Sequence, residues 1–200
     1  MSKGYCLLKA FKTIGLALIL GMSLTGCSGN EKWKEEVQLS DGKVIVVDRE
    51  LLMANGGDEL AVDNRSNFSP KEYHIQLSDP NGSSKTIKWH SIKKDRSTFP
   101  ERPLILDILS GQVTIYTSLA VGAGCQMYSK YSYKNGAWVE QKLPPKFEQR
   151  ATNLFVFRGD GTQQFIDLKT KQEIVSKHFS ADRSDRFDQV GPEHPNCKGV

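Results

Sequence analysis

Val37-Gln38-Leu39-Ser40-Asp41-Gly42-Lys43-Val44-Ile45-Val46-Val47 is two apolar runs divided by Asp-Gly. That dipeptide accepts the positive φ angles of a type I′ turn, so the stretch reads as a β-hairpin. Because Val44 to Val47 does not alternate with polar residues, it is expected to be buried on both faces. Working outward, Glu72-Tyr73-His74-Ile75-Gln76-Leu77 alternates cleanly, which sends Tyr73, Ile75 and Leu77 inward and His74 outward. Asp79-Pro80-Asn81-Gly82 then turns the chain and Thr86-Ile87-Lys88-Trp89 returns it.

The same signals recur to the C-terminus. Strands are expected at Leu104 to Leu109, Val113 to Ala120, Tyr128 to Tyr133, Ala137 to Gln141, Leu154 to Phe157, Gln164 to Leu168 and Glu173 to Ser176. Asn135-Gly136, Gly159-Asp160-Gly161 and Lys169-Thr170-Lys171 supply turns between them. Ala54 to Pro70 is a polar stretch that reads as a surface or binding loop. Ser180 to Gln189 is the one helix candidate, with Ser180 as N-cap and Asp182 near the positive end of the dipole. About ten short strands without alternating helices define a mainly β protein. Its sheets are antiparallel, as a sandwich, barrel or meander, with one short C-terminal helix.

The 200 residues are 38% hydrophobic and 25% charged, which suits one globular domain. The formal charge of +4 is concentrated at the start: residues 1–26 hold Lys3, Lys9 and Lys12 and no acid. Beyond them, 24 basic residues stand against 23 acidic ones. A nucleic-acid ligand calls for a basic stripe that neutralises phosphates; this balance argues against one.

After the basic start, Ile14-Gly15-Leu16-Ala17-Leu18-Ile19-Leu20-Gly21-Met22 is apolar. A run of about ten residues is too short to span a bilayer, which takes roughly 20, so the segment reads as a targeting signal. It ends in Leu24-Thr25-Gly26-Cys27, and here the chain resembles a bacterial lipoprotein precursor carrying a lipobox. The resemblance implies cleavage between Gly26 and Cys27, a diacylglycerol thioether on the Cys27 sulfur and acylation of the new amine. Three chains satisfy the need for more than one lipid signal in stable anchoring. The expected organisation is a removed signal at 1–26, a lipidated tether at 27–32 and a single β domain at 33–200. Ser28 replaces the Asp that holds many such lipoproteins in the inner membrane, which implies the outer membrane, facing the periplasm.

Trp33 to Val47, together with Glu72-Tyr73-His74-Ile75, is similar to a group of proteobacterial envelope lipoproteins. The similarity carries no catalytic residues over. With Cys6 removed and Cys27 acylated, Cys125 and Cys197 remain, and an even pair in an oxidising compartment points to a disulfide closing a loop of 71 residues. The chain-entropy model puts its value at about 4 kcal/mol. Separate thiols and a Cys-His nucleophile are the alternatives.

His74, His90, His178 and His194 show no metal-ligand spacing, and no metal or other cofactor is expected. Asp182, Asp185 and Asp188 are interleaved with Arg183 and Arg186, the pattern of a solvated face. Arg158-Gly159-Asp160 is explained by its turn. Across the Asn135-Gly136 hairpin, Tyr133 pairs with Trp138 and shares a face with Tyr131. These three rings are either β-core or an aromatic binding face for a glycan or protein. No nucleophile or phosphate-loop motif occurs. The chain therefore reads as a lipid-anchored, non-catalytic binding or structural protein of the cell envelope. An envelope hydrolase acting on peptidoglycan, glycan or lipid, and a component of a surface or secretion assembly, are the rival readings.

Overall fold

The computed structural model describes residues 30–55, 68–95, 97–122, 125–143, 147–148, 150–155, 164–178 and 189–191. The protein is mainly β, as its turn chemistry and alternation demand. Strands β1 (Glu31–Gln38), β2 (Val44–Asn55), β3 (Phe68–Ser78) and β4 (Thr86–His90) form an antiparallel meander. A second meander is made of β5 (Arg102–Leu109), β6 (Gln112–Gly122), β7 (Cys125–Lys134) and β8 (Ala137–Gln141). Two short strands, β9 (Arg150–Ala151) and β11 (Gln189–Val190), pair with each other. β10 (Phe165–Ile166) adds to β1 in parallel and leads into helix α1 (Leu168–His178).

The two meanders stack through one apolar layer. Val37, Val47, Ile75, Leu77, Ile87 and Trp89 from the first meet Leu106, Val113, Ile115 and Tyr131 from the second. Polar contacts hold the flanks in line. Ser40, in the β1–β2 turn, donates its N–H and hydroxyl to Asp107 of β5 at 3.1 and 2.9 Å. On the opposite flank, Trp138 Nε1 of β8 donates to the Lys88 carbonyl of β4 at 2.6 Å. β1 therefore lies over β5 and β4 over β8. A second apolar cluster of Leu104, Ile105, Tyr116 and Val190 covers the other face of the second sheet.

The hairpin expectations hold. At the first, the hairpin forms but the turn is not type I′: Asp41 keeps negative φ, only Gly42 is positive at +84°, and Leu39 N–H donates to Lys43 O across the three residues Ser40-Asp41-Gly42. Asn135 and Gly136 take φ +50° and +84°, the left-handed pair of a two-residue turn, and Tyr133 faces Trp138 in register.

Several expectations need correction. The strand Val44 to Val47 is not buried on both faces: Val44 and Val46 are 46% and 49% exposed, while Val47 is buried. The outer face of the first sheet has no covering layer at this point, so ordinary alternation returns. Lys169-Thr170-Lys171 and Glu173 to Ser176 are not turn and strand; they belong to helix α1. Within the strand expected at Gln164 to Leu168, only Phe165 and Ile166 pair. Of the strand expected at Leu154 to Phe157, Leu154 and Phe155 are buried but lie outside any strand, and 156–157, like the turn expected at 159–161, lie outside the described residues. Of the helix expected at Ser180 to Gln189, residues 180–188 lie outside the described residues, and Gln189 is in β11. The supposed loop Ala54 to Pro70 is strand at both ends, with 56–67 outside the described residues. Glu31 and Lys32, expected in the tether, already pair with Leu51 and Glu50 in β1.

Candidate functional site

The aromatic face nominated by the hairpin is largely interior. Tyr131 is 2% exposed, packs on Trp89 with ring centroids 5.8 Å apart, and belongs to the central layer. It cannot belong to a surface platform, because period-two alternation turns it toward the opposite sheet. Tyr133 and Trp138 form the expected cross-strand pair, 5.2 Å between centroids, and lean partly buried against the same layer.

The Tyr131 hydroxyl lies against Glu101, 2.9 and 3.0 Å from the two carboxylate oxygens. Glu101 is fully buried and accepts three further bonds, from Thr117 Oγ1 and from the backbone N–H groups of Ile92 and Lys93. Burial pushes the Tyr131 phenol well above its ordinary value, and the Glu101 charge pushes it further. Such a phenol stays protonated and acts as a donor. Next to it, Lys93 Nζ donates to Ser129 Oγ at 3.0 Å and pairs with Glu140, while Ser129 Oγ donates to Glu140 at 3.1 Å. An ammonium that donates to the serine oxygen and to a carboxylate is not the base that a serine nucleophile requires.

A second interior charge cluster ties the first sheet to α1. Glu35 and Arg49 are buried and paired, with the Arg49 guanidinium 5.1 Å over the Trp33 ring. Glu35 also accepts Phe155 N–H at 2.9 Å and meets Lys171 Nζ at 3.1 Å. Burial pushes the Lys171 ammonium down, against the upward pull of Glu35. Lys171 Nζ also donates to the carbonyls of Glu36 and Asn153, the latter at 2.8 Å. Each charge here is spent on holding chain segments together.

Two concave surfaces stand out among the described residues. A cleft of about 680 Å³ runs along the outer face of the first sheet, past Lys32, Lys34, Asp48, Glu50 and His74 to Phe165. Its charges are largely matched across strands, Lys32 to Glu50 at 3.1 Å and Lys34 to Asp48 at 3.0 Å. His74 Nε2 lies 2.7 Å from Glu72, and its ring is 5.8 Å from that of His90. No group of three or more metal-ligating side chains able to hold an ion occurs among the described residues.

The second is a cavity of about 290 Å³ at the end of the sandwich where β1 begins. Pro70, Tyr73, Phe99 and Leu119 give it apolar and aromatic walls; Asp95, Arg102 and Ser118 give it polar ones. Arg102 and Ser118 are in cross-strand register, and Ser118 with Tyr128. Ser118 Oγ is buried without a hydrogen-bond partner. The Arg102 guanidinium opposes the upward push that burial exerts on the phenols of Tyr73 and Tyr128. With a carboxylate and a guanidinium both in its lining, the cavity shows no preference for an anionic ligand. The sequence reasoning did not single out Phe99, Arg102 or Ser118. The available signal was Ile92 and Phe99, two apolar residues bracketing a basic turn without strand alternation.

Cys125 is buried and its sulfur is engaged in a disulfide. Cys197, like Gly26 and Cys27, lies outside the described residues. No family model, no curated protein and no solved structure matches the chain.

Proposed function

We propose that this protein is a lipid-anchored domain of the bacterial cell envelope, held at the outer membrane facing the periplasm, whose role is binding or support rather than catalysis. The observation that carries the reading is Leu24-Thr25-Gly26-Cys27 at the end of a basic and apolar leader. The mature domain would begin at Cys27, with its acyl chains in the bilayer and the sandwich standing outside it. An envelope protein or glycan is the partner class this reading expects. The interior polar groups support it, since Glu101, Glu35, Arg49 and Lys171 each serve to clamp segments of the fold. Growing cells with an alkyne-tagged fatty acid tests the reading: wild type acquires the tag, and Cys27→Ala acquires none and keeps its leader. A tag of equal intensity on the Cys27→Ala protein sinks the assignment.

A further inference from the structure

We infer that the end of the sandwich bearing Glu31 lies directly on the bilayer surface, with Ile92 and Phe99 entering the headgroup layer and Lys71, Lys94 and Arg102 facing anionic lipid. The inference rests on the proposed acylation of Cys27 and goes beyond it, since an anchored domain could equally stand clear of the membrane on a long tether. Here no long tether exists. Only Ser28, Gly29 and Asn30 separate Cys27 from the first strand residue. Four extended steps reach at most about 14 Å, so β1 starts within that distance of the lipidated residue.

Strand register says what else lies at that height, past which β2 and β3 run on paired to Asn55 and Phe68. Glu31 is opposite Leu51 and Leu51 opposite Tyr73. Tyr73 N–H donates to Ser91 Oγ at 3.0 Å, and Ser91 N–H returns a bond to Tyr73 O at 2.9 Å. Ile92 follows Ser91 in sequence. Three strand spacings of roughly 4.8 Å place Ile92 about 15 Å from Glu31 across the sheet. Ile92 is 62% exposed and Phe99 46% exposed, at the two sides of the turn that joins the meanders.

That turn is held rigidly. Asp95 Oδ1 accepts the N–H groups of Ser97 and Phe99, both at 2.8 Å, and Lys94 bridges Pro100. Thr98 is fixed at φ +67°, and Glu101 grips the N–H groups of Ile92 and Lys93 from below. Exposed apolar side chains on a fixed turn lose little freedom when they enter an interface. Of the charges at this end, which include Glu31, Glu72 and Asp95, the cations Lys71, Lys94 and Arg102 make no ion pair among the described residues. By contrast, the opposite end of the sandwich is made of the polar turns at Ser40 to Gly42, Pro80 to Gly82, Ser110-Gly111 and Asn135-Gly136. A bilayer surface rewards apolar insertion together with juxtamembrane charge.

The test is an amine-acetylation footprint of the acylated full-length mature protein on phosphatidylethanolamine–phosphatidylglycerol vesicles, read by mass spectrometry. Lys71 and Lys94 should react several-fold more slowly than in detergent, while Lys85 and Lys134 at the far end keep their rates. Replacing both exposed apolar residues, Ile92→Ser with Phe99→Ser, should abolish the protection while the protein stays on the vesicles. Equal rates at both ends in an acylated, vesicle-bound protein overturn this inference and leave the anchor standing. Protection that persists in detergent and grows with protein concentration assigns the face to a second copy of the chain and also overturns it. An intact mass lacking acyl chains overturns the anchoring, and this inference with it.

Discussion

Glu101 shows how much a single side chain does in this fold. A fully buried carboxylate is tolerable only when donors replace the lost water, and here Tyr131, Thr117 and two backbone N–H groups do so. The Tyr131 hydroxyl comes from the second sheet's interior strand, so it couples the β4–β5 turn to the core. Tyr131→Phe keeps the ring packing and deletes that donor, which should cost about 2 kcal/mol in urea unfolding at unchanged m-value; an unaltered midpoint contradicts the coupling. Asp107 predicts a pH dependence. Burial pushes its carboxyl up, but the Ser40 N–H and hydroxyl and the Arg150 guanidinium outweigh it and hold it below the usual 3.8. A carboxylate with a depressed folded value stabilises the fold above its unfolded pKa, and that contribution fades as pH falls through the folded value. Asp107→Asn should therefore flatten the loss of stability below about pH 4, seen as urea midpoints that converge with wild type in acid. Midpoints separated by a constant interval across that range would assign the acid limb to other groups. Glu101 was not legible in the sequence, because one acid among 23 carries no mark of burial.

At the scale of the element, turn chemistry and alternation were readable and layer coverage was not. Gly42 and the Asn135-Gly136 pair announce their hairpins because few other residues accept their positive φ angles. Val44 to Val47 misleads because a β-branched run suits any strand, and only the absence of a second layer decides that Val46 faces water. Val46→Thr should thus move stability by less than about 0.5 kcal/mol, whereas Ile75→Ala in the central layer should cost about 3 kcal/mol; comparable losses in urea titrations would place Val46 in a buried layer. Helix α1 was missed for a different reason. Its cap is Asp167, whose Oδ1 accepts Thr170 N–H at 2.7 Å, and that bond holds the Asp167 carboxyl below its ordinary range. Lys169-Thr170-Lys171 reads as a turn in the sequence, yet Lys171 is drawn inward by Glu35. Asp167→Ala should remove the N-cap and speed amide exchange in the first turn of α1; unchanged exchange would show that Lys171 alone secures the helix.

For the whole molecule, the strand count and the antiparallel class followed from sequence, but the stacking of two meanders in the same order did not, since it depends on contacts between residues far apart such as Ser40 with Asp107. The candidate end site was illegible for the same reason: Pro70, Phe99, Arg102 and Ser118 meet only after β3, β5 and β6 are packed. Cys125 sits at that end beside the β6–β7 connection, and we propose Cys197 as its partner. Non-reducing peptide mapping should recover the Cys125–Cys197 pair, with reduction costing about 4 kcal/mol by loop entropy; a different pairing would leave the C-terminal tail unpinned. The most direct test of the account is the N-terminal and intact-mass analysis of the protein recovered from its native membranes. The account predicts a chain beginning at Cys27 with a diacylglycerol thioether on its sulfur and an acylated amine. A chain that begins elsewhere, or a Cys27 bearing a free thiol, contradicts it.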